Sequence, residues 1–331
     1  MRFPAPIRFR CVLIPFFVLM PLCFYCGDNP SVDKNGVTRT NNTTKSVAYD
    51  TTKTVAQYQT EMDASIPAKI ISFAPSITEM LYELGLGDNV SGVTQFCKYP
   101  PEAVGKTKIG GYADHNYEAV IRLQPDLAIV LKEQRDLIQF FGKYSIGYIT
   151  VGSDSVDEII ESIQSIAKAC NIVDRGDSLA RELRSSLNGA PVSAGNTKGS
   201  RPKVLLCVSR DNAGGWAISK CFIAGDAAFY NQLIESAGGV NVLKGTGQAY
   251  PSISAEAVIR LNPDVIIDIS SANSNRLQQA ICDDWKTLKT VAAVKTDNVH
   301  CLSGDYLTIP GPRFTLILDD LKSIFHRYGR T

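Results

Sequence analysis

Histidine is scarce in this 331-residue chain: His115, His300 and His326 are the only three, and none stands in an HxH or HExxH arrangement. A metal centre built on imidazoles is therefore not expected. An excess of either charge is also lacking, since 34 Lys and Arg face 33 Asp and Glu for a net charge of +1. That balance gives no basic field for a phosphate backbone, and no stretch interleaves Lys or Arg with aromatics, so nucleic acid is not the expected partner. No GxSxG elbow, no GxxxxGK[ST] loop and no Cys–His pairing of diagnostic spacing occurs. The GLGDNV string at 85–90 is half of a dinucleotide fingerprint, but it follows a helix and lacks the third glycine, so it reads as a helix stop. The acid pairs Asp283–Asp284 and Asp319–Asp320 read as solvated faces.

Long apolar runs are missing too. The longest, at 11–25, has about 15 residues where a spanning helix needs about 20, and Pro15 and Pro21 interrupt it. With Arg2, Arg8 and Arg10 before it, it has the layout of a secretory signal. Cys26, followed by polar Gly27, Asp28 and Asn29, is a candidate lipidation site; Tyr25 before it is larger than lipoprotein signals tolerate, so cleavage and an uncleaved anchor stay open. The CxxC of Cys23 and Cys26 lies inside this segment and carries no redox or zinc role. Residues 31–66 are rich in Thr, Asn, Ser, Asp and Lys and cannot bury enough apolar surface to fold. They read as a tether with a span of roughly 30 to 35 Å. Cys97, Cys170, Cys207, Cys221, Cys282 and Cys301 could pair in an exported protein, but no spacing selects a connectivity.

What the chain does have is a 44% hydrophobic composition and a regular alternation of strand and helix patterns from residue 69 onward, which implies parallel sheets covered on both faces. Ser76 with Glu79 and Ser155 with Glu158 have capping-box spacing. The sequence EAVIRLQPD at 118–126 recurs as EAVIRLNPD at 256–264, identical at eight of nine positions, and Tyr112 and Tyr250 precede the two copies by the same six residues. A period of 138 residues is too long for a solenoid repeat of about 20 to 50 and means a duplicated domain. Between the copies, 173–187 reads as a helix of roughly 22 Å, a rigid strut that would restrict closure of two lobes. The fold class is thus α/β, two Rossmann-like lobes with central parallel sheets joined by a long α-helix.

The string KIISFAPSITEMLYELGLGDNV at 69–90 resembles the helical-backbone periplasmic binding proteins of ABC importers for cobalamin, haem and ferric siderophores. Gly92, Tyr99–Pro101, KIGGY at 108–112, the two repeats, AGGVN at 237–241, Trp285 and Gly311–Arg313 continue the likeness, which covers about 68–328 and is nearest to the vitamin B12-binding branch. The resemblance implies a signal peptide or membrane anchor at 1–26, a disordered tether at 27–67, and an N-terminal binding lobe at 68–152. Connecting helices including the backbone helix follow at 153–190, then a C-terminal binding lobe at 200–331. It further implies a binding protein rather than an enzyme, with no cofactor of its own. Its expected cargo is a corrinoid, with ferric siderophore or haem as the alternative, and its partners are a permease dimer and its ATPase.

By position in the family, Phe96, Tyr112, Phe222 and Tyr250 are the expected ligand-binding aromatics, joined by Asp305 and Tyr306. Glu118 and Glu256 are the expected permease-docking acids; as bare residues they are also the first-turn carboxylates that a helix dipole favours. Tyr112 and Tyr250 stand where the B12-binding pattern often has tryptophan. Trp216, upstream of Phe222, either faces the same cavity or packs under a hairpin. An α/β enzyme would explain only the two lobes, and a surface scaffold only the tether.

Overall fold

The computed structural model describes residues 65–188, 201–270 and 275–328; the signal segment, Cys26 and most of the tether lie outside them. Strands β1 (Ile70–Ser72), β2 (Val90–Val93), β3 (Thr107–Lys108), β4 (Leu127–Leu131) and β5 (Tyr148–Val151) form one parallel sheet in the order β3-β2-β1-β4-β5. All five residues of β4 are buried, as a strand covered on both faces requires. The intervening helices are α1 (Pro75–Glu83), α2 (Tyr117–Leu123) and α3 (Arg135–Tyr144).

After α4 (Val156–Ala169) and α5 (Val173–Leu187), a second sheet assembles from β6 (Lys203–Arg210), β7 (Lys220–Ile223), β8 (Val240–Asn241), β9 (Ser252–Ser254), β10 (Val265–Asp268) and β11 (Val299–Cys301). Its order is β11-β10-β6-β7-β9, with β8 parallel to the start of β6. Helices α6 (Phe229–Ser236), α7 (Ala255–Leu261), α8 (Asn275–Trp285), α9 (Ala292–Lys295) and α10 (Phe314–Tyr328) complete it. One strand departs from the parallel pattern: β7 runs antiparallel to both β6 and β9. It is a hairpin inserted where the first half passes directly from β1 into α1.

The repeat has one structural job in both halves. Asn116 and Ser254 cap α2 and α7 by accepting from the amides of Ala119 and Ala257. Gln124 and Asn262 then end the helices in the left-handed region at φ 49° and 44°, a conformation that polar residues of this kind tolerate. Asp126 and Asp264 each accept a 2.8 Å hydrogen bond from the amide of the residue that opens the neighbouring strand, Lys69 and Lys203.

The inner faces of the two sheets share a single core. Ile70, Ile129 and Val151 of the first sheet and Val204, Leu206 and Ile267 of the second belong to one cluster, bridged by Ile163, Ala180, Leu183 and Phe314. Helix α5 touches both halves: Arg175 donates to the Leu84 carbonyl at 3.2 Å, and Lys322 of α10 donates to the Ser186 carbonyl at 3.2 Å. Gly176 lets α5 press on α4, because a Cβ there would lie 2.4 Å from that of Ala167. A second tie is ionic. Buried Glu79 of α1 accepts from Nε of Arg313, just before α10, at 3.0 Å, and the guanidinium lies 3.9 Å from the Tyr99 ring and 2.9 Å from Asp305. Shared core, strut and ion pair all resist wide opening of the halves.

Two expectations need correction. Ser76 and Glu79 do not form a capping box: α1 begins at Pro75 behind Ala74 with no side-chain cap, and Glu79 is committed to Arg313. Ser155 does accept from the Glu158 amide, but the Glu158 carboxylate reaches back to the amide of Asp154 rather than to that of Ser155. Six cysteines are described: Cys282 and Cys301 form a disulfide joining α8 to β11, while Cys97, Cys170, Cys207 and Cys221 are buried free thiols.

Candidate ligand site

The first half places its expected aromatics on loops at the carboxyl ends of β2 and β3, the usual ligand end of an open α/β sheet, whereas in the second half Phe222 lies in β7 and Tyr250 just before β9. In the first half the loop after β2 carries Phe96 and the loop before α2 carries Tyr112; the amide of Gln95 donates to the Gly110 carbonyl at 2.9 Å and ties the two together. The turn is tight because Gly110 sits at φ 98°, where a Cβ would fall 2.2 Å from the Asp114 carbonyl oxygen. Phe96 and Tyr112 are left 50% and 48% exposed. His115 closes the turn, edge-on to Phe73 at 5.7 Å and to Tyr117 at 6.0 Å.

In the second half the Phe222 strand and the Tyr250 loop are tied in the same manner. The amide of Ile223 donates to the Pro251 carbonyl at 3.1 Å, and that of Gly225 to the Ala249 carbonyl at 2.7 Å. A Cβ on Gly225 would lie 2.1 Å from the Gln248 oxygen, so only glycine permits this approach. Asp226 fixes the loop further by accepting from the Thr246 hydroxyl at 2.8 Å and the Gly247 amide at 3.0 Å. Phe222 is half-buried with the Lys220 ammonium 5.5 Å from its ring. Tyr250 is 46% exposed and meets Tyr230 edge-on at 6.3 Å.

Both tyrosines are shifted upward in pKa. Burial, then the hydrogen-bonded Glu133 carboxylate and then Asp154, raise the Tyr112 pKa. Burial and then the same Asp154 push that of Tyr250 up to about 12. Asp154 follows β5 and is paired with Lys132 at 2.8 Å. Lys132, Glu133 and Asp154 form a charged cluster at the ends of β4 and β5, and its two acids contribute to the upward shifts of the tyrosines. Sequence reasoning missed this cluster, because its members are ordinary surface charges until the ends of β4 and β5 are brought side by side.

The other expected residues are placed differently. Asp305 is bonded to Arg313, whose guanidinium lowers its pKa, and the Tyr306 hydroxyl donates to Asp320 at 2.6 Å. Both take part in fastening the segment that runs into α10. Glu118 and Glu256 are exposed in the first turns of α2 and α7, and hydrogen bonding from Ser254 lowers the pKa of Glu256. Trp216 is neither in the core nor under the hairpin: it stands at the β6–β7 tip, 84% exposed. Asp284 is no solvated acid, being buried against Arg210. Among the described residues no group of three or more His, Cys, Asp or Glu could hold a metal ion, and no helix is long and apolar enough to cross a membrane.

Two half-buried histidines make stability depend on pH. Burial lowers the pKa of His115, and burial and then Arg327 lower that of His300. The unfolded chain, titrating near 6.5, then binds protons that the native state refuses. Stability is full above that pH and declines below it. Urea midpoints should fall between pH 7.5 and 5.5, and a midpoint that rises over this range would contradict the assignment.

The model of the periplasmic binding protein family matches residues 70–306. This chain belongs to the periplasmic binding protein family. Its members bind substrates for transport and are not enzymes. An uncharacterized ABC transporter substrate-binding lipoprotein of Bacillus subtilis, YvrC, is 29% identical over 271 residues, covering 78% of this chain and 80% of that one. A vitamin B12-binding protein of Vibrio parahaemolyticus is 28% identical over 257 residues, covering 74% and 84%. In fold, a possible iron-binding periplasmic solute-binding protein of Staphylococcus epidermidis superposes with a TM-score of 0.67 at 24% identity, over 78% of this chain and 99% of that one. The chain is accordingly a substrate-binding protein of the ABC-transporter kind, with extracytoplasmic work.

Proposed function

We propose that this protein captures a corrinoid of the cobalamin type between the Phe96–Tyr112 loops and the Phe222–Tyr250 loops. It then presents the ligand to an ABC permease dimer, served by its ATPase, through Glu118 and Glu256. The observation that carries the reading is the duplicated tyrosine, one on each half, with both phenols raised in pKa beside Asp154. Flat rings with polar tips suit the apolar edge and amide fringe of a corrin, and the vitamin B12-binding name of the Vibrio relative supports the same ligand.

Ferric siderophore and haem are the competing cargoes. Export with lipid on Cys26, holding the body at the outer face of the cytoplasmic membrane, fits the lipoprotein name of the Bacillus relative. Calorimetric and visible-absorbance titration of the purified protein with cyanocobalamin, haemin and a ferric siderophore panel tests the ligand. Saturable one-to-one binding of cyanocobalamin, recovered chemically unchanged, is expected; tighter binding of haemin or a siderophore would transfer the reading to that class.

A further inference from the structure

The β6–β7 hairpin belongs to the second half alone, and its most exposed large side chain is Trp216. The backbone there is costly. Trp216 sits at φ 75° and Gly214 at φ 81°, and a left-handed tryptophan is strained unless its surroundings impose it. They do: Asp284 accepts from the amide of Gly214 at 2.7 Å and from that of Trp216 at 2.6 Å. Asp284 is itself held by Nη1 of Arg210 at 2.8 Å. Nε of Arg210 bonds Asp268 at 2.8 Å, and Asp268 in turn accepts from the Trp285 indole at 2.8 Å. A buried ion-pair network thus fixes a turn whose indole is left 84% in solvent.

The strand register says where that indole stands. The amide of Asp211 donates to the Lys220 carbonyl at 3.1 Å, and Lys220 lies opposite Ser254, the N-cap of α7 two residues before Glu256. The tip, residues 212–219, therefore projects from the same end of the sheet at which α7 starts. Ile259, one turn along α7 from Glu256, is 42% exposed. A rigid exposed aromatic thus projects from the end of the sheet at which α7, carrying the exposed Glu256 and Ile259, begins. Anchors with that make-up dominate protein interfaces, and pre-ordering the tip removes part of the entropy cost of docking.

We propose that Trp216 is an apolar docking anchor that seats in the extracytoplasmic face of the permease beside the contact made by Glu256. The proposal rests on the docking reading above. The exposed acids Asp211 and Glu256 on this edge favour a protein partner over an anionic lipid surface.

The test uses the full chain in its own host. A photoreactive benzoylphenylalanine replaces Trp216, or Ile259, or Val173 on the strut as the remote control. The probes at 216 and 259 should each join covalently to one multi-spanning membrane protein, identified by mass spectrometry as a permease subunit. Both adducts should vanish when Glu118→Arg and Glu256→Arg are added, and the probe at 173 should give none. Trp216→Ala should lower cyanocobalamin uptake about tenfold while its affinity in solution and its melting temperature stay put. An adduct to phospholipid only, or none at 216 while 259 reacts, overturns the anchor. So does a loss of ligand affinity in Trp216→Ala, which would make the indole a ligand contact. Silence at both 216 and 259 in a protein that still binds cyanocobalamin would instead remove the docking reading itself, and the anchor with it.

Discussion

Reversing both docking acids, Glu118→Arg with Glu256→Arg, should bring uptake of the ligand to background while leaving its affinity in solution within about twofold. The fold does not depend on these acids. The helix starts are capped by Asn116 and Ser254, so the carboxylates are not required to hold α2 and α7, and loss of their favourable dipole interaction costs only about 0.3–1 kcal/mol each. Both side chains are exposed, and neither lies among the aromatic loops. A pair of identical acids on pseudo-equivalent helices matches a partner with two-fold symmetry. Charge reversal would set like against like at two places at once. Uptake by the double variant at the wild-type rate would show that these carboxylates do not dock.

The second large effect is on stability. Arg210→Met should cost about 3–5 kcal/mol, the usual penalty for removing one member of a buried ionic network and leaving its partners uncompensated. Arg210 and Asp268 have fully buried side chains, and Asp284 is nearly so. The guanidinium also donates to the Ile281 carbonyl at 2.7 Å, so three carbonyl or carboxylate groups lose a donor together. For a body of this size a drop in melting temperature of roughly 10 °C or more is expected. A drop below about 2 °C would mean that the acids find other partners or take up protons without cost.

The sequence made the duplication and the α/β alternation legible, because a nine-residue repeat and strictly apolar strands such as β4 leave little choice of fold. The limits of α5 are those its pattern gives, Val173–Leu187, since its small residues Gly176 and Ala180 mark the face pressed on α4. Other features depend on contacts far apart in the chain. Arg313 is held by Glu79, 234 residues away, and the same Glu79 imitates a capping residue. Asp284 looked like one of two surface acids because nothing local announces Arg210. The Cys282–Cys301 pairing needed the packing of α8 on β11. Trp216 does not pack under a hairpin, one of its two readings from sequence, since its exposure follows from a turn that Asp284 holds from another element. The charged cluster of Lys132, Glu133 and Asp154 was hidden for the same reason.

The account stands most directly on one ligand lying across both halves, against Tyr112 and Tyr250 together. Calorimetric titration with cyanocobalamin of the wild type, Tyr112→Ala, Tyr250→Ala and the double variant measures this. Each ring contributes part of roughly 150 Å² of surface, so each single change should weaken binding about tenfold and the pair a hundredfold or more, with the melting temperature little changed. Wild-type affinity in the double variant would contradict the account.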